Sequence, residues 1–511
     1  MNCIVILCDT LRRDHCGPYH HGLPLSQVTG PEQAEWTVPT PNMDRLAARG
    51  VVFDHAWCGS TPCMPARRDI YTGRYEFLER GWGPLEDEDL DLPRQVSGPP
   101  NQSLAKVQAE GFSISYLVTD HFHLWEQGSG NYHMGYSGFE FIRGHEADAW
   151  KTNPVTFPNP DPPFHKTERH FRNVHLTHHD EKDTFSAQVF TKAADWLEHN
   201  HTYEGFYLHV DCFDPHEPWD APEKLVKRFD PRGYNIPHWR SMAPYDHWRN
   251  HMSFDELRHY QARYAAHVML VDKWLGKLLD KMDELNLWRN TMVIFTSDHG
   301  TYNGDHGRLG KLQTHEHDAV GHIPFIVAHP DAKAGTRRSQ LVQLVDIYPT
   351  VLSALNKPCP PGRHGIDLHP VLLDPNTSIR SYAIAGQFGK SVTLTDGRWI
   401  LHQSPCQDNQ PLYWYGHHMA RFLPYELGPY ESEPSDESLT VHSYRPGRRQ
   451  VHHCVSWETE TWLSDKENDP NELINLSRSH PDKVAELQLR LKNTLKELGA
   501  PEEQLLRLGL R

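Results

Sequence analysis

A chain of 511 residues exceeds what one hydrophobic core usually supports, so two domains, or one large domain with an appendage, are expected. Hydrophobic residues at 38% and charged residues at 23% exclude a disordered chain. The 51 basic against 67 acidic residues, net −16, exclude broad nucleic-acid binding, which needs a basic footprint.

An anionic substrate remains open, because one basic pocket can sit in an acidic protein. The nine cysteines form an odd set with no CxxC pair, so neither a disulfide framework nor a zinc knuckle is signalled. The opening MNCIVILCD has too short an apolar run for a secretory signal or a membrane span. It reads as a core strand of a protein without a membrane partner, expected in a reducing cytoplasm.

Strand candidates in chain order are Cys3–Cys8, Ser113–Val118, Phe206–Val210, Met292–Thr296 and Pro324–Ala328. Each is a short apolar run bounded by turn residues, and helical stretches lie between them, which is the pattern of a mainly parallel α/β sheet. Leu257–Leu285 carries apolar residues at 3–4 spacing (Tyr264, Val268, Val271, Leu275, Leu278, Met282) and predicts a helix covering that sheet. Gln340–Leu355 reads as another helix. The segments 151–179 and 215–249, rich in Pro, His and Trp, read as long surface loops. After about residue 375 come two short strands, Ser391–Thr395 and Trp399–His402, a Pro/Tyr/Glu-rich loop at 424–436 and a final helix, Lys483–Leu498. The expected division is a catalytic α/β domain at 1–375 and a C-terminal α+β subdomain at 376–511 with a small antiparallel sheet.

The residues just beyond the strands carry the chemistry. Asp9 ends the first strand, and Asp298–His299 come directly after Met292–Thr296 and Ser297. Ligands of open α/β sheets bind beyond the carboxyl ends of strands, so these groups are placed to converge as a divalent-cation site. Taken alone, each Asp would read sooner as a turn residue or helix cap. Further along stand Cys63-Met64-Pro65-Ala66-Arg67 and then Thr72-Gly73-Arg74. Pro65 suits the first turn of a helix starting at Cys63, which puts the sulfur at the positive helix end and Arg67 one turn along.

This C-x-P-x-R with its trailing T-G-R resembles the type I sulfatases of the alkaline phosphatase superfamily. Other elements of that family stand in order: Asp214-Pro215-His216-Glu217-Pro218-Trp219, Ser297-Asp298-His299-Gly300, Gly304-Asp305-His306-Gly307 with Lys311, and Leu344 to Thr350. The closing Trp462-Leu463-Ser464-Asp465-Lys466-Glu467-Asn468-Asp469-Pro470 completes the set, so the likeness covers almost the whole chain.

The resemblance implies a large mixed, mainly parallel sheet sandwiched by helices (alkaline phosphatase-like). It further implies hydrolysis of a carbohydrate, aryl or alkyl sulfate. Cys63 would be oxidised by a maturation enzyme to formylglycine, whose hydrate attacks sulfur with one hydroxyl and expels sulfate with the other. Asp9, residue 63, Asp298 and His299 would hold one divalent cation, calcium, or manganese given the imidazole. Arg67 would steady the nucleophile, and His216 and Lys311 would contact the sulfate and protonate the leaving oxygen. In His121-Phe122-His123-Leu124, the counterpart of the family's K-W-H-L, His121 is a substrate-binding candidate and His123 a base for sulfate expulsion.

Two departures stand out. Thr10 replaces a second acid after Asp9, and His299 an Asn; both occur in the phosphonate monoester hydrolase and choline-sulfatase branches. The rival readings are a phosphonate or phosphate diester hydrolase of the same fold, a non-catalytic binder of sulfated glycan, and a metal buffer built on doublets such as His178–His179 and His417–His418.

Overall fold

The computed structural model describes residues 1–511 apart from 87, 100–105, 107–108, 127–128, 155–164, 233–241, 312–314, 408, 417–438, 443–444, 452–459 and 511. The loop at 424–436 and the doublet His417–His418 therefore lie outside the described residues. Among those described, no helix is long and apolar enough to cross a membrane.

Eighteen strands succeed one another among the described residues: β1 Asn2–Cys8, β2 Val51–Trp57, β3 Ser60–Thr61, β4 Ser115–Thr119, β5 Gly138–Phe141, β6 Tyr207–Cys212, β7 Thr291–Thr296, β8 Tyr302–Asn303, β9 Leu309–Gly310, β10 Phe325–Ala328, β11 Thr336–Gln343, β12 Ala383–Gln387, β13 Val392–Thr395, β14 Trp399–Gln403, β15 Tyr413–Gly416, β16 Leu439–His442, β17 Arg445–Val451 and β18 Trp462–Asp465. Eight build one sheet in the order β11-β2-β10-β7-β1-β6-β4-β5. It is parallel except for β10, which runs against both neighbours. This is the large mixed sheet that the sequence implies.

Continuous apolar runs are what such a sheet demands, because both faces are covered. Alternate residues of β1 serve different layers. Ile4, Ile6 and Cys8 face the helices Phe185–Asn200 and Phe254–Glu284, whereas Cys3, Val5 and Leu7 face Cys63–Thr72 and Ile347–Ala354. The 31-residue helix Phe254–Glu284 opens with a capping box between Ser253 and Glu256. A second sheet, β18-β14-β13-β12-β3, is antiparallel but for its β12–β3 edge, where Gly386 and Gln387 pair with Ser60 and Thr61. The segment just before Cys63 is thus tied to the C-terminal sheet.

Three local expectations are corrected. Gln340–Gln343 belongs to β11, and the helix begins only at Ile347; a bulge between Arg338 and Leu341 disturbs the strand's alternation so that it reads as helical spacing. Within 151–179, His165–Thr177 is a helix that buries polar groups such as His170 and Asn173, so it shows no apolar stripe. β2 escaped notice because Asp54 and His55 interrupt its apolar pattern. Tyr132, Trp219, Trp248 and Trp414 are buried packing anchors.

Candidate active site

Four adjacent parallel strands, β7, β1, β6 and β4, end at the same edge of the sheet. Beyond them stand Asp298–His299, Asp9–Thr10, Phe213–His216 and Asp120–His123 respectively. Opposite lies the start of the wholly buried helix Cys63–Thr72. Asp9, Cys63, Asp298 and His299 come together with their ligand atoms all within 4.8 Å of one another, and all four are buried. Cys63 Sγ lies 3.3 Å from His299 Nε2 and 3.6 Å from Asp9 Oδ1.

Arg67 joins the two sides. Its Nη1 donates to Asp9 Oδ2 and Asp298 Oδ2, both at 2.9 Å, and to the Cys63 carbonyl at 3.2 Å. Its other edge grips Asp211 bidentately, Nε to Oδ2 at 2.9 Å and Nη2 to Oδ1 at 2.6 Å. Thr10, φ 62°, donates its N–H to Asp298 Oδ1 (2.9 Å) and its hydroxyl to Asp9 Oδ1 (2.6 Å). The residue standing where a second acid was expected therefore orients both carboxylates. Lys311 Nζ donates to Thr10 Oγ1 at 3.1 Å.

The electrostatics suit a cation. Burial alone would raise Asp9, but Arg67, with Lys311 after it, holds it well below the usual carboxylate range. Burial and the Asp9 charge push Asp298 well above that range. One guanidinium does not satisfy two buried carboxylates, a conflict that a divalent ion removes. Burial, then Lys311, lowers the His299 imidazole to about 3; its Nδ1 donates to the Gly300 carbonyl at 2.8 Å, so the Nε2 lone pair faces Cys63. These donors fit a divalent metal. Burial, with Asp9 next, pushes the Cys63 thiol well above its ordinary value, so the unmodified side chain stays protonated and is a weak nucleophile.

His121, His123 and His216 surround Phe213, their ring centroids 4.2, 5.9 and 4.2 Å from its own. His121 Nε2 is 4.0 Å from Asp9 Oδ2, and burial followed by Arg67 lowers its pKa well below the ordinary imidazole value. His216 donates Nδ1–H to the Glu217 carbonyl at 2.5 Å, and burial lowers its pKa too, so its Nε2 carries a lone pair. His123 differs: Glu126 holds Nδ1 and Glu146 Oε2 lies 3.3 Å from Nε2. Against burial, these carboxylates raise its pKa. Both ring nitrogens thus face carboxylates that favour its charged form.

Sequence reasoning missed Asp211 and Glu146 and gave Glu217 no role; only Asp211 had a signal of its own. The available signal was a carboxylate inside the apolar run of β6, which needs a buried partner. Behind His216, His267 sits between Asp214 Oδ1 (3.6 Å) and Asp220 Oδ1 (3.4 Å), and His145 reaches Asp120 at 2.8 Å and Asp214 at 3.5 Å. Burial alone would lower His267, but its two carboxylates push it up to about 9. A raised folded-state pKa contributes stability that is complete below the ordinary imidazole value of about 6.5 and lost as pH rises through about 9. The melting temperature of the parent should accordingly fall between pH about 7 and 9.5 more steeply than that of His267→Gln; parallel curves would remove this network from the pH dependence.

The sulfatase family model matches residues 1–357. Arylsulfatase K of Rattus norvegicus is 23% identical over 488 residues, 90% of this chain and 74% of the relative. Arylsulfatase K of Homo sapiens is 25% identical over 365 residues, 65% of this chain and 62% of the relative, so the match spans somewhat under two thirds of that protein. Among solved structures, BT4656 in complex with its substrate D-glucosamine-2-N,6-O-disulfate shares the fold at a TM-score of 0.64 and 15% identity, covering 97% of this chain and 98% of that one. With the family model spanning well over half of the chain and the strand-end cluster assembled, this chain belongs to the sulfatase family, the sulfuric ester hydrolases.

Proposed function

We propose that the protein hydrolyses the sulfate ester of a carbohydrate, aryl or alkyl alcohol, with Cys63 converted to formylglycine and one divalent cation held by Asp9, residue 63, Asp298 and His299. The observation that carries this reading is the convergence of those four side chains at one helix N-terminus and two strand ends. Oxygen donors favour calcium, with manganese the alternative that the imidazole allows. When present, the cation lowers the pKa of a neighbouring hydroxyl, and the oxidised side chain supplies the second hydroxyl that a serine lacks.

The chain's own groups do the rest. Arg67, fixed by Asp211, neutralises charge at residue 63 and holds both carboxylates in line. Against the lowering effect of burial, the Glu217 and Asp9 carboxylates hold Lys311 as an ammonium with a proton to give. His216 and neutral His121 border the same space and position the anion, with His123, held between Glu126 and Glu146, at its edge. A sulfated sugar, the kind of substrate in the BT4656 complex, is the first substrate class to try.

Exhaustive chelation should abolish nitrophenyl sulfate turnover, and calcium or manganese should restore it. The peptide carrying residue 63 should show the aldehyde by mass spectrometry in proportion to activity. Full activity in a chain whose residue 63 is an intact thiol would sink the reading. Faster turnover of a matched aryl phosphonate than of the aryl sulfate would hand it to the phosphonate alternative.

A further inference from the structure

The Glu217 carboxylate has entered so far only through its effect on Lys311. It is fully buried, with Oε2 3.8 Å from Lys311 Nζ and 3.6 Å from His216 Nδ1. Among the described residues this oxygen accepts no hydrogen bond. The other, Oε1, accepts the Tyr245 hydroxyl. Tyr245 is itself wedged against Gly310, beside Lys311, where an added Cβ would come within 2.3 Å of its ring. Lys311 in turn reaches Thr10, and Thr10 reaches Asp9, so a short chain of contacts leads from Glu217 to the cluster at residue 63. Burial would raise the Glu217 pKa, but the Lys311 ammonium and the Tyr245 hydroxyl hold it below its ordinary value, so the group is ionised.

A fixed negative charge beside the cation meant for an anion weakens every anion, but not equally. Repulsion scales with ligand charge, so a dianion suffers twice what a monoanion does. A sulfate ester carries one charge; a phosphate monoester carries two in alkaline solution. We propose that Glu217, held in place by Tyr245, is a specificity-determining residue that turns away dianionic tetrahedral groups and so selects the monoanionic sulfate ester over a phosphate monoester. The inference rests on the sulfate-ester reading and adds to it the charge that the site selects. At an effective dielectric of about 20 and a separation of about 6 Å, one further unit of repulsion corresponds to roughly a hundredfold in affinity.

The test uses the metal-loaded enzyme and two probes of one shape, benzenesulfonate (a monoanion) and phenylphosphonate (a dianion in alkaline buffer), with dissociation constants from calorimetry. The parent should bind the sulfonate at least as tightly as the phosphonate. Glu217→Gln should shift the ratio of the two constants toward phenylphosphonate by roughly tenfold or more, and Glu217→Asp, which keeps the charge, should retain the parent ratio. Should Glu217→Gln not fold, Glu217→Met removes the same charge at similar volume and reads the same ratio. A parent that prefers phenylphosphonate overturns the proposal, as does an unchanged ratio in a neutral variant that binds both probes. If the parent binds neither probe, the sulfate pocket itself fails and takes this proposal with it, a result distinct from an unchanged ratio.

Discussion

Cys63→Ser and Cys63→Ala should each lose sulfatase turnover by on the order of 10⁴-fold or more, the scale of removing a nucleophile. The serine variant is the telling one. Its hydroxyl occupies almost the position of the sulfur, 3.3 Å from His299 Nε2, and the helix that presents it is unchanged. A sulfated serine nevertheless has no second hydroxyl with which to expel sulfate, so it should stall after at most one turnover. Rapid-mix kinetics on nitrophenyl sulfate, with a mass spectrum of the stalled protein, would show a single burst and a trapped adduct. Steady turnover by Cys63→Ser near the parent rate would end the formylglycine proposal. Circular dichroism and melting curves should stay close to the parent for both variants, because residue 63 is one small side chain among the 41 buried residues of its core cluster.

Removal of Lys311 should separate substrates by their leaving groups. A sugar or alkyl alcohol departs as a high-pKa oxygen and needs a proton, whereas nitrophenolate departs without one. Lys311→Ala should therefore lose roughly 10²–10⁴-fold on alkyl or sugar sulfates and far less on nitrophenyl sulfate, with KM raised on both because the ammonium also holds the anion. His216→Ala should behave otherwise. Its Nδ1–H is committed to the Glu217 carbonyl and its Nε2 is a lone pair, so it positions the anion, and both substrate types should suffer alike. Equal losses for Lys311→Ala across leaving groups would remove it as the acid and send the search back to His216.

Much of this site was legible along the chain because its residues stand just past strands whose apolar runs are unmistakable. The runs before Asp9 and Asp298 are buried on both faces, so each reads as a core strand, and the polar residue that ends it stands out. Cys63, Arg67, His216 and Lys311 were visible only through the spacing of their motifs. His123 shows the limit of that method: its position was legible but its protonation was not, because that is set by Glu126 and Glu146, and Glu146 is 23 residues away and gives no sequence signal. Asp211 was missed for a related reason. Its neighbours in β6 describe an ordinary strand, and its meaning lies in Arg67, on another element.

By itself, then, the sequence determined which elements form and what stands at their ends, since these depend on local periodicity and on a few residues with restricted chemistry. The order of the strands was decided only in three dimensions. Placing β7, β1, β6 and β4 side by side and parallel brings four loops to one edge, and no local pattern encodes which strands become neighbours. Tertiary structure also fixed the charge states, because a buried group's pKa answers to burial and to partners that the chain brings from afar. That is why Asp9 and Asp298, alike in the sequence, differ in the fold, and why an acidic chain holds cations at one small space beside residue 63.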